Sequence, residues 1–270
     1  VATPIGNLGD ISLRARTVLA QADAIACEDT RTTAKLLTLL GLPFNTLIAC
    51  HDHNEARAAL GLIERIKNGQ SVALVSDAGA PLISDPGYGL VDLARANGLM
   101  VTAVPGPSAV IAALQLSGLP SDRFLFAGFP PAKTTARKQT LRELAQVPST
   151  LIFFESPNRL AASLADMAAV LGVRMAAVVR ELTKLYEETV RGTLPDLAQR
   201  YRSHPVKGEI VVVVAPPAGQ AADDADDLDV RIKAALARGL GVRDAAALVA
   251  AETGHPRRLV YARALLAAQS

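Results

Sequence analysis

Residues 71–89 read SVALVSDAGAPLISDPGYG, and the fold of the chain follows from how this stretch is parsed. Val72, Ala73, Leu74 and Val75 form a short apolar run, the pattern of a strand buried on both faces. Ser76, Asp77, Ala78 and Gly79 interrupt it with small and acidic residues, and Pro81, Pro86 and Gly87 keep regular structure from resuming at once. A helical pattern then begins near Gly89. A buried strand that opens into a small-residue loop is where α/β sheets hold ligands, because the strand ends leave a crevice. Asp77 and Asp85 fall in that crevice region; they read equally well as turn residues that cap a helix.

Outward from this stretch, strands and helices alternate. The patterns predict strands at 1–3, 24–27, 46–50, 72–75 and 100–104, separated by helices over 12–21, 32–40, 54–67, 90–96 and 108–116. Such alternation implies an α/β fold with a mostly parallel N-terminal sheet and right-handed crossovers. Beyond a boundary at 118–122 lies a second, mixed α/β unit. Its strands are expected at 124–129, 151–154, 175–180, 186–191 and 209–215, and its helices over 134–147, 158–170 and 194–202. An acidic run at 223–229 reads as a solvated linker. The tail, 230–268, reads as three short helices divided at 239–241 and 253–256. The expected domains are therefore 1–119, 120–217 and a helical appendage at 218–270. The last helix carries Arg257, Arg258, Tyr261 and Arg263. It suits a small nucleic-acid-binding appendage; a helical cap over apolar surface is the plainer reading.

The chain has 270 residues, half of them hydrophobic and a fifth charged, enough for a soluble globular protein with ample core. No apolar run reaches the roughly 18 residues of a membrane helix, and no signal peptide is visible. The chain opens without Met and almost inside a motif, so further residues are expected before Val1. Cys27 and Cys50 lie in apolar runs without metal-like spacing, as in a reduced cytosolic protein. A net charge of +2 neither demands nor excludes a polyanionic partner.

Polar motifs follow the strands. The loop PIGNLGD at 4–10 suits close approach of a ligand to backbone, but it is neither the dinucleotide fingerprint nor a P-loop. Glu28, Asp29, Thr30 and Arg31 could orient a polar substrate or move a proton; a helix N-cap is the ordinary alternative. His51, Asp52, His53, Asn54 and Glu55 suggest a metal only weakly, since no further ligand set has suitable spacing. Pro105, Gly106, Pro107 and Ser108 form another small-residue strand end. Lys133, Arg137 and Lys138 make a basic patch that is either a solvated helix face or a phosphate contact. Arg180, Glu181 and Lys184 could be a surface ion-pair cluster.

Taken in order, PIGNLGD, EDTR, HDHNE, SDAGAPLISDPG, PGPSA, GFPPAK, RELTK and KGEIVVVV resemble the ribosomal small-subunit RNA ribose-2′-O-methyltransferase branch of the tetrapyrrole (precorrin/corrin) methylase superfamily. The resemblance covers nearly the whole chain. It implies a two-domain methyltransferase that binds S-adenosylmethionine between its domains, works as a homodimer and acts on a cytidine ribose in the decoding centre of 16S rRNA in the 30S subunit. It places the cofactor on Ser76, Asp77, Ala78 and Gly79 and on Pro105, Ser108 and Ala109. Backbone around Phe154 and Glu155 and around Leu182 and Thr183 completes that site. The superfamily's usual Gly-Asp-Pro is here Ser76, Asp77, Ala78, Gly79, which argues against a corrin substrate. Asp85 is assigned to the turn into the next helix.

Methyl transfer from a sulfonium is an in-line displacement, so the protein's main tasks are alignment and exclusion of water; no metal is required. A ribose hydroxyl is a weak acid, and Glu28 or Asp29 is expected to serve as its base, with Arg31 completing the catalytic set. Lys133, Arg137 and Lys184, with Arg257, Arg258 and Arg263 in the tail, are the expected RNA contacts. The competing classes are a methylase of a small tetrapyrrole, and a non-catalytic RNA-binding assembly factor with a vestigial cleft.

Overall fold

The computed structural model describes residues 1–44, 46–217, 221–253 and 257–268, with backbone alone for 221–227. The chain splits into two compact units. Residues Val1–Ala145 and Ser149–Ala215 form one; Gln146–Pro148 and Pro216–Ser270 form the other.

The first unit opens with a three-stranded parallel sheet. Its central strand Ala24–Cys27 (β1) is buried along its length, flanked by Thr46–Ala49 (β2) and Val72–Val75 (β3) in the order β2-β1-β3. Small Ala24 and Ala26 let helices close down on both faces. On one face Ile25, Cys27, Ala73 and Val75 pack with Leu19 of Leu13–Gln21 (α1) and Leu37 of Thr30–Leu39 (α2). On the other, Ala26 and Cys50 meet Leu62 and Ile63 of Glu55–Lys67 (α3) and Leu90 and Ala94 of Tyr88–Ala96 (α4). The strands expected at 1–3 and 100–104 form no ladder. Ala2 N–H donates to the Val104 carbonyl at 3.1 Å, then Thr3 turns to pair with Gly79 through two bonds of 2.9 and 3.1 Å. Met100 is 90 % exposed, and little of that segment has apolar burial to hold a longer ladder.

Ala109–Ser117 (α5) leads into a mixed five-stranded sheet. Phe124–Phe126 (β4), Thr150–Glu155 (β5), Met175–Arg180 (β6), Glu188–Thr193 (β7) and Ile210–Val214 (β8) lie in the order β4-β5-β8-β6-β7. Only β4 and β5 are parallel. The all-β-branched β8 sits centrally and is wholly buried. Val110, Ala113 and Leu114 of α5, with Ile5 from the opening loop, pack onto Ile152, Val179, Val211 and Val213, so α5 and the opening loop are held on the second sheet.

Thr134–Leu144 (α6) and Leu160–Leu171 (α7) show why Arg137 is not an RNA contact. Arg137 is 2 % exposed. Its Nε and Nη2 donate to Asp166 at 2.8 and 2.6 Å, and its Nη1 to the carbonyls of Pro131 and Ala132 at 3.2 and 3.0 Å. The guanidinium is spent on internal acceptors and has no face left for a phosphate. Lys138 lies 3.4 Å from the same carboxylate.

The second unit contains Ala221–Ala237 (α9), Val242–Thr253 (α10) and Arg257–Ala267 (α11), following Leu194–Ser203 (α8) of the first. The acidic run at 223–229 is therefore helix and not linker. Leu228, Ile232 and Ala235 recur at i, i+4 and i+7 and are buried against Ala245, Ala246, Val249, Val260 and Ala264. Asp229 accepts both Nε and Nη2 of Arg263 at 2.8 Å, tying α9 to α11. The expected break at 253–256 lies in part outside the described residues.

Removing Arg137 leaves the Asp166 carboxylate with only Lys138, at 3.4 Å, among the described residues and takes the Arg137 donor from the Pro131 and Ala132 carbonyls. Arg137→Ala is expected to cost about 3–5 kcal/mol in urea unfolding; an arginine that merely faced solvent would leave the midpoint unchanged.

Candidate functional site

Parallel pairing fixes where the polar motifs emerge. Cys27 is in register with Ala49 of β2 and Val75 of β3, so Glu28, His51 with Asp52, and Ser76 with Asp77 leave the sheet at one edge. The Asp29 N–H donates to Asp77 Oδ1 at 3.3 Å across that edge.

The carboxylates there differ sharply. Asp29 caps α2, accepting the Arg31 N–H at 2.8 Å, and grips the Arg31 side chain through Nε at 3.1 Å and Nη2 at 2.7 Å. The Arg31 bonds pull its pKa down to about 2. Glu28 moves the other way. Burial raises its pKa most, and the negative charges of Asp77, Asp85 and Asp52 add to the rise, with His51 opposing them. Asp77 is also raised, by burial and then by Asp29, although the Asp29 N–H pulls it back. Asp85 is raised by burial, with Asp77 and Asp52 adding and a hydrogen bond from Ser76 opposing. Asp85 is therefore coupled to this cluster, in the crevice region where its place after the strand first put it, as well as to its turn.

Small residues bring the loops into contact. Gly79 has φ +82°, and a Cβ there would stand 3.3 Å from Ile5 Cγ2 and 3.9 Å from the Pro107 carbonyl oxygen. The Ser76–Gly79 and Pro105–Ala109 loops are thus neighbours, with the PIGNLGD loop beside them. At Gly6 a Cβ would meet Lys184 Cγ at 2.5 Å, Thr183 Oγ1 at 2.8 Å and the Leu182 carbonyl oxygen at 3.0 Å. The 182–184 segment is thereby drawn onto the opening loop. Backbone strain gathers at the same places: Leu82, Ser84, Glu181 and Thr183 all have positive φ without being glycine. Thr183 Oγ1 is buried without a partner.

The other expected residues divide. The Leu182 side chain is core, leaving only its backbone for a ligand. Glu155 is buried, and its Oε1 accepts from the Ser156 N–H and from Arg159 Nε, both at 2.8 Å. Phe154 is half-buried, edge-on to Phe126 and Phe129 with ring centres 4.8 and 5.5 Å away. Lys184 is held by Glu181 at 2.9 Å and Glu209 at 3.0 Å, so a phosphate would have to displace carboxylates to use it. Lys133, Arg257 and Arg258 are exposed. Arg263 is engaged by Asp229 as an interhelical tie. Among the described residues no group of three or more His, Cys, Asp or Glu could hold a metal ion, and none of the helices is long and apolar enough to cross a membrane.

The site is thus a carboxylate cluster ringed by small-residue strand ends, at the end of a three-stranded parallel sheet. The chain belongs to the tetrapyrrole (corrin/porphyrin) methylase family, whose model matches residues 1–198, and it is a methyltransferase. Residues 221–269 match a second family, the RsmI C-terminal HTH domain. Ribosomal RNA small subunit methyltransferase I of Mesorhizobium japonicum is 52 % identical over 267 residues, spanning 98 % of this chain and 90 % of its own. Among solved structures, diphthine synthase matches with a TM-score of 0.61 and 17 % identity, over 80 % of this chain and 88 % of that one. Uroporphyrin-III C-methyltransferase from Thermus thermophilus, complexed with S-adenosyl homocysteine, matches with a TM-score of 0.52 and 19 % identity, over 78 % of this chain and 93 % of that one. These two likenesses concern the fold.

The crowding at Gly6 gives a direct test. Gly6→Ala forces the opening loop away from the Lys184 and Thr183 side chains and the Leu182 carbonyl and is expected to cost about 1–3 kcal/mol in thermal or urea unfolding. Gly61→Ala, in α3 with open space around its Cβ, should instead gain about 0.5–1 kcal/mol.

Proposed function

We propose that this methyltransferase carries the methyl group of S-adenosylmethionine to the 2′-hydroxyl of a cytidine ribose in the decoding centre of small-subunit ribosomal RNA. The observation that carries this reading is the 52 % identity to a ribosomal RNA small subunit methyltransferase I over 98 % of the chain, helical unit included. The domain limits proposed with it are 1–119, 120–217 and 218–270. A homodimer acting in the cytoplasm on the 30S subunit is the working form.

In this reading the loops Ser76–Gly79 and Pro105–Ala109, with backbone at Phe154, Glu155, Leu182 and Thr183, hold the cofactor. S-adenosylmethionine supplies an activated methyl group. Loop carbonyls favour a cation, and the close loop contacts exclude water. Glu28 is the general base and not Asp29. A base works best with a pKa near the operating pH, and burial together with the surrounding carboxylates moves Glu28 that way while Arg31 moves Asp29 to about 2. Asp29 instead orients Arg31, whose guanidinium is left in solvent to meet a phosphate. Lys133, Arg257 and Arg258 are the other exposed cations suited to RNA backbone.

Incubating the protein with S-adenosylmethionine and 30S subunits, then digesting the RNA for mass spectrometry, tests the reading. One 2′-O-methylcytidine is expected; methylation of a base, or none, would reject it. The Glu28 assignment has its own signature. Glu28→Gln should lower turnover at least about a hundredfold, whereas Asp29→Asn should keep the rising acid limb of the pH–rate profile. That limb should lie above the ordinary glutamate value of 4.5. The sign of the stability effect is fixed too. A carboxyl with a raised pKa binds its proton more tightly in the folded chain, so stability falls as pH rises from 4.5 through the folded value. Glu28→Gln removes that repulsion and should raise the melting temperature at neutral pH while it removes activity. Replacing Arg257 and Arg258 by Ala should reduce the slope of log affinity against log salt by about 0.7 for each phosphate that is no longer neutralised.

A further inference from the structure

Phe129 lies in the turn GFPPAK that follows β4 and is 58 % exposed. One exposed phenyl is ordinary; the way this one is held is not. The turn contains Pro130 and Pro131, and its carbonyls are fastened from below. Arg159 Nη2 donates to Pro130 at 2.9 Å, while Arg137 Nη1 donates to Pro131 and Ala132. Both guanidinium groups are fixed in turn by Glu155 and Asp166. The Phe154 N–H donates to the Gly128 carbonyl at 3.0 Å. Phe154 then props the Phe129 ring edge-on at 5.5 Å and is itself backed by Phe126 at 4.8 Å. The exposed ring therefore has little freedom left to lose when a ligand stacks on it.

Its neighbours indicate what that ligand is. A Cβ on Gly128 would stand 3.8 Å from Ser84 Oγ, so the turn abuts the strained loop that carries Asp77 and Asp85. At the other end of the turn Lys133 is exposed, with no carboxylate within 4 Å among the described residues. A rigid aromatic face and an exposed lysine four residues on, at the two ends of one turn, match a nucleotide strand, with a base for the ring and a phosphate for the lysine. S-adenosylmethionine has an adenine but no phosphate and would leave the lysine unused.

We propose that Phe129 is a stacking platform for an unpaired base of the RNA substrate, with Lys133 contacting that strand's phosphate. The inference rests on the RNA-methylating reading above. The test measures binding of the full chain to 30S subunits at several salt concentrations, and to S-adenosylmethionine by calorimetry, for the wild type, Phe129→Ala, Phe129→Trp and Lys133→Ala. Phe129→Ala should weaken RNA binding about tenfold, the loss of one base stack, with an unchanged salt slope. Phe129→Trp should restore affinity, because the larger ring keeps the π-face. Lys133→Ala should lower the salt slope instead, and cofactor affinity should be the same in all four. Wild-type RNA affinity in Phe129→Ala would overturn the proposal. So would an equal loss of cofactor affinity, which would assign the ring to the adenine of S-adenosylmethionine. If the wild type methylates 30S subunits, either result removes the platform alone; if the wild type neither binds nor methylates them, the RNA reading falls and the platform with it.

Discussion

Everything at the site depends on the parallel register of three short strands. Because β1, β2 and β3 end level with one another, their following residues share one crevice, and three of those residues are carboxylates that repel. Repulsion of this kind is a cost in a folded protein, tolerated where function needs it. Burial, with that repulsion added, raises the pKa of Glu28, while the bonds from Arg31 lower that of the adjacent Asp29 to about 2. Arg31 engages one carboxylate, and the other is left to burial and its charged neighbours.

The second constraint is close approach. Gly6, Gly79 and Gly106 sit where a Cβ would strike another loop. Their absence of side chain lets the opening loop, the two strand-end loops and the 182–184 segment converge. α5 performs the same service at the level of the core, since its apolar face belongs to the second sheet although it begins at the Pro105–Ala109 loop. The loops at the ends of the parallel strands are thus tied through the opening loop and α5 to elements of the second sheet.

Much of this was legible in the sequence. AIAC and IVVVV announce buried strands and VALV announces a strand, although as an edge strand it has only Ala73 and Val75 buried and Val72 and Leu74 partly so; the small-residue runs after AIAC and VALV mark the crevice, because those signals are local. What failed was non-local. Arg137 sits in a polar helix that reads as a solvated face; only Asp166, 29 residues away, makes it a core residue. The acidic residues at 223–229 look like a linker until Leu228 and Ile232 are seen to pack on α10 and α11. Residues 1–3 and 100–104 have strand composition, yet a crossing at Thr3 and an exposed Met100 leave them without a ladder. Glu28 and Asp29 read alike in the sequence; burial of the one and the Arg31 side chain on the other tell them apart.

The measurement that bears most directly on the account is a crystal structure of this chain with S-adenosylhomocysteine. The account requires the cofactor's sulfur among the Ser76–Gly79 and Pro105–Ala109 loops, with the Glu28 carboxylate facing the position a methyl would occupy and Asp29 still paired to Arg31. A cofactor bound away from Ala78, or a methyl position facing Asp29 with Glu28 turned into the core, would contradict it.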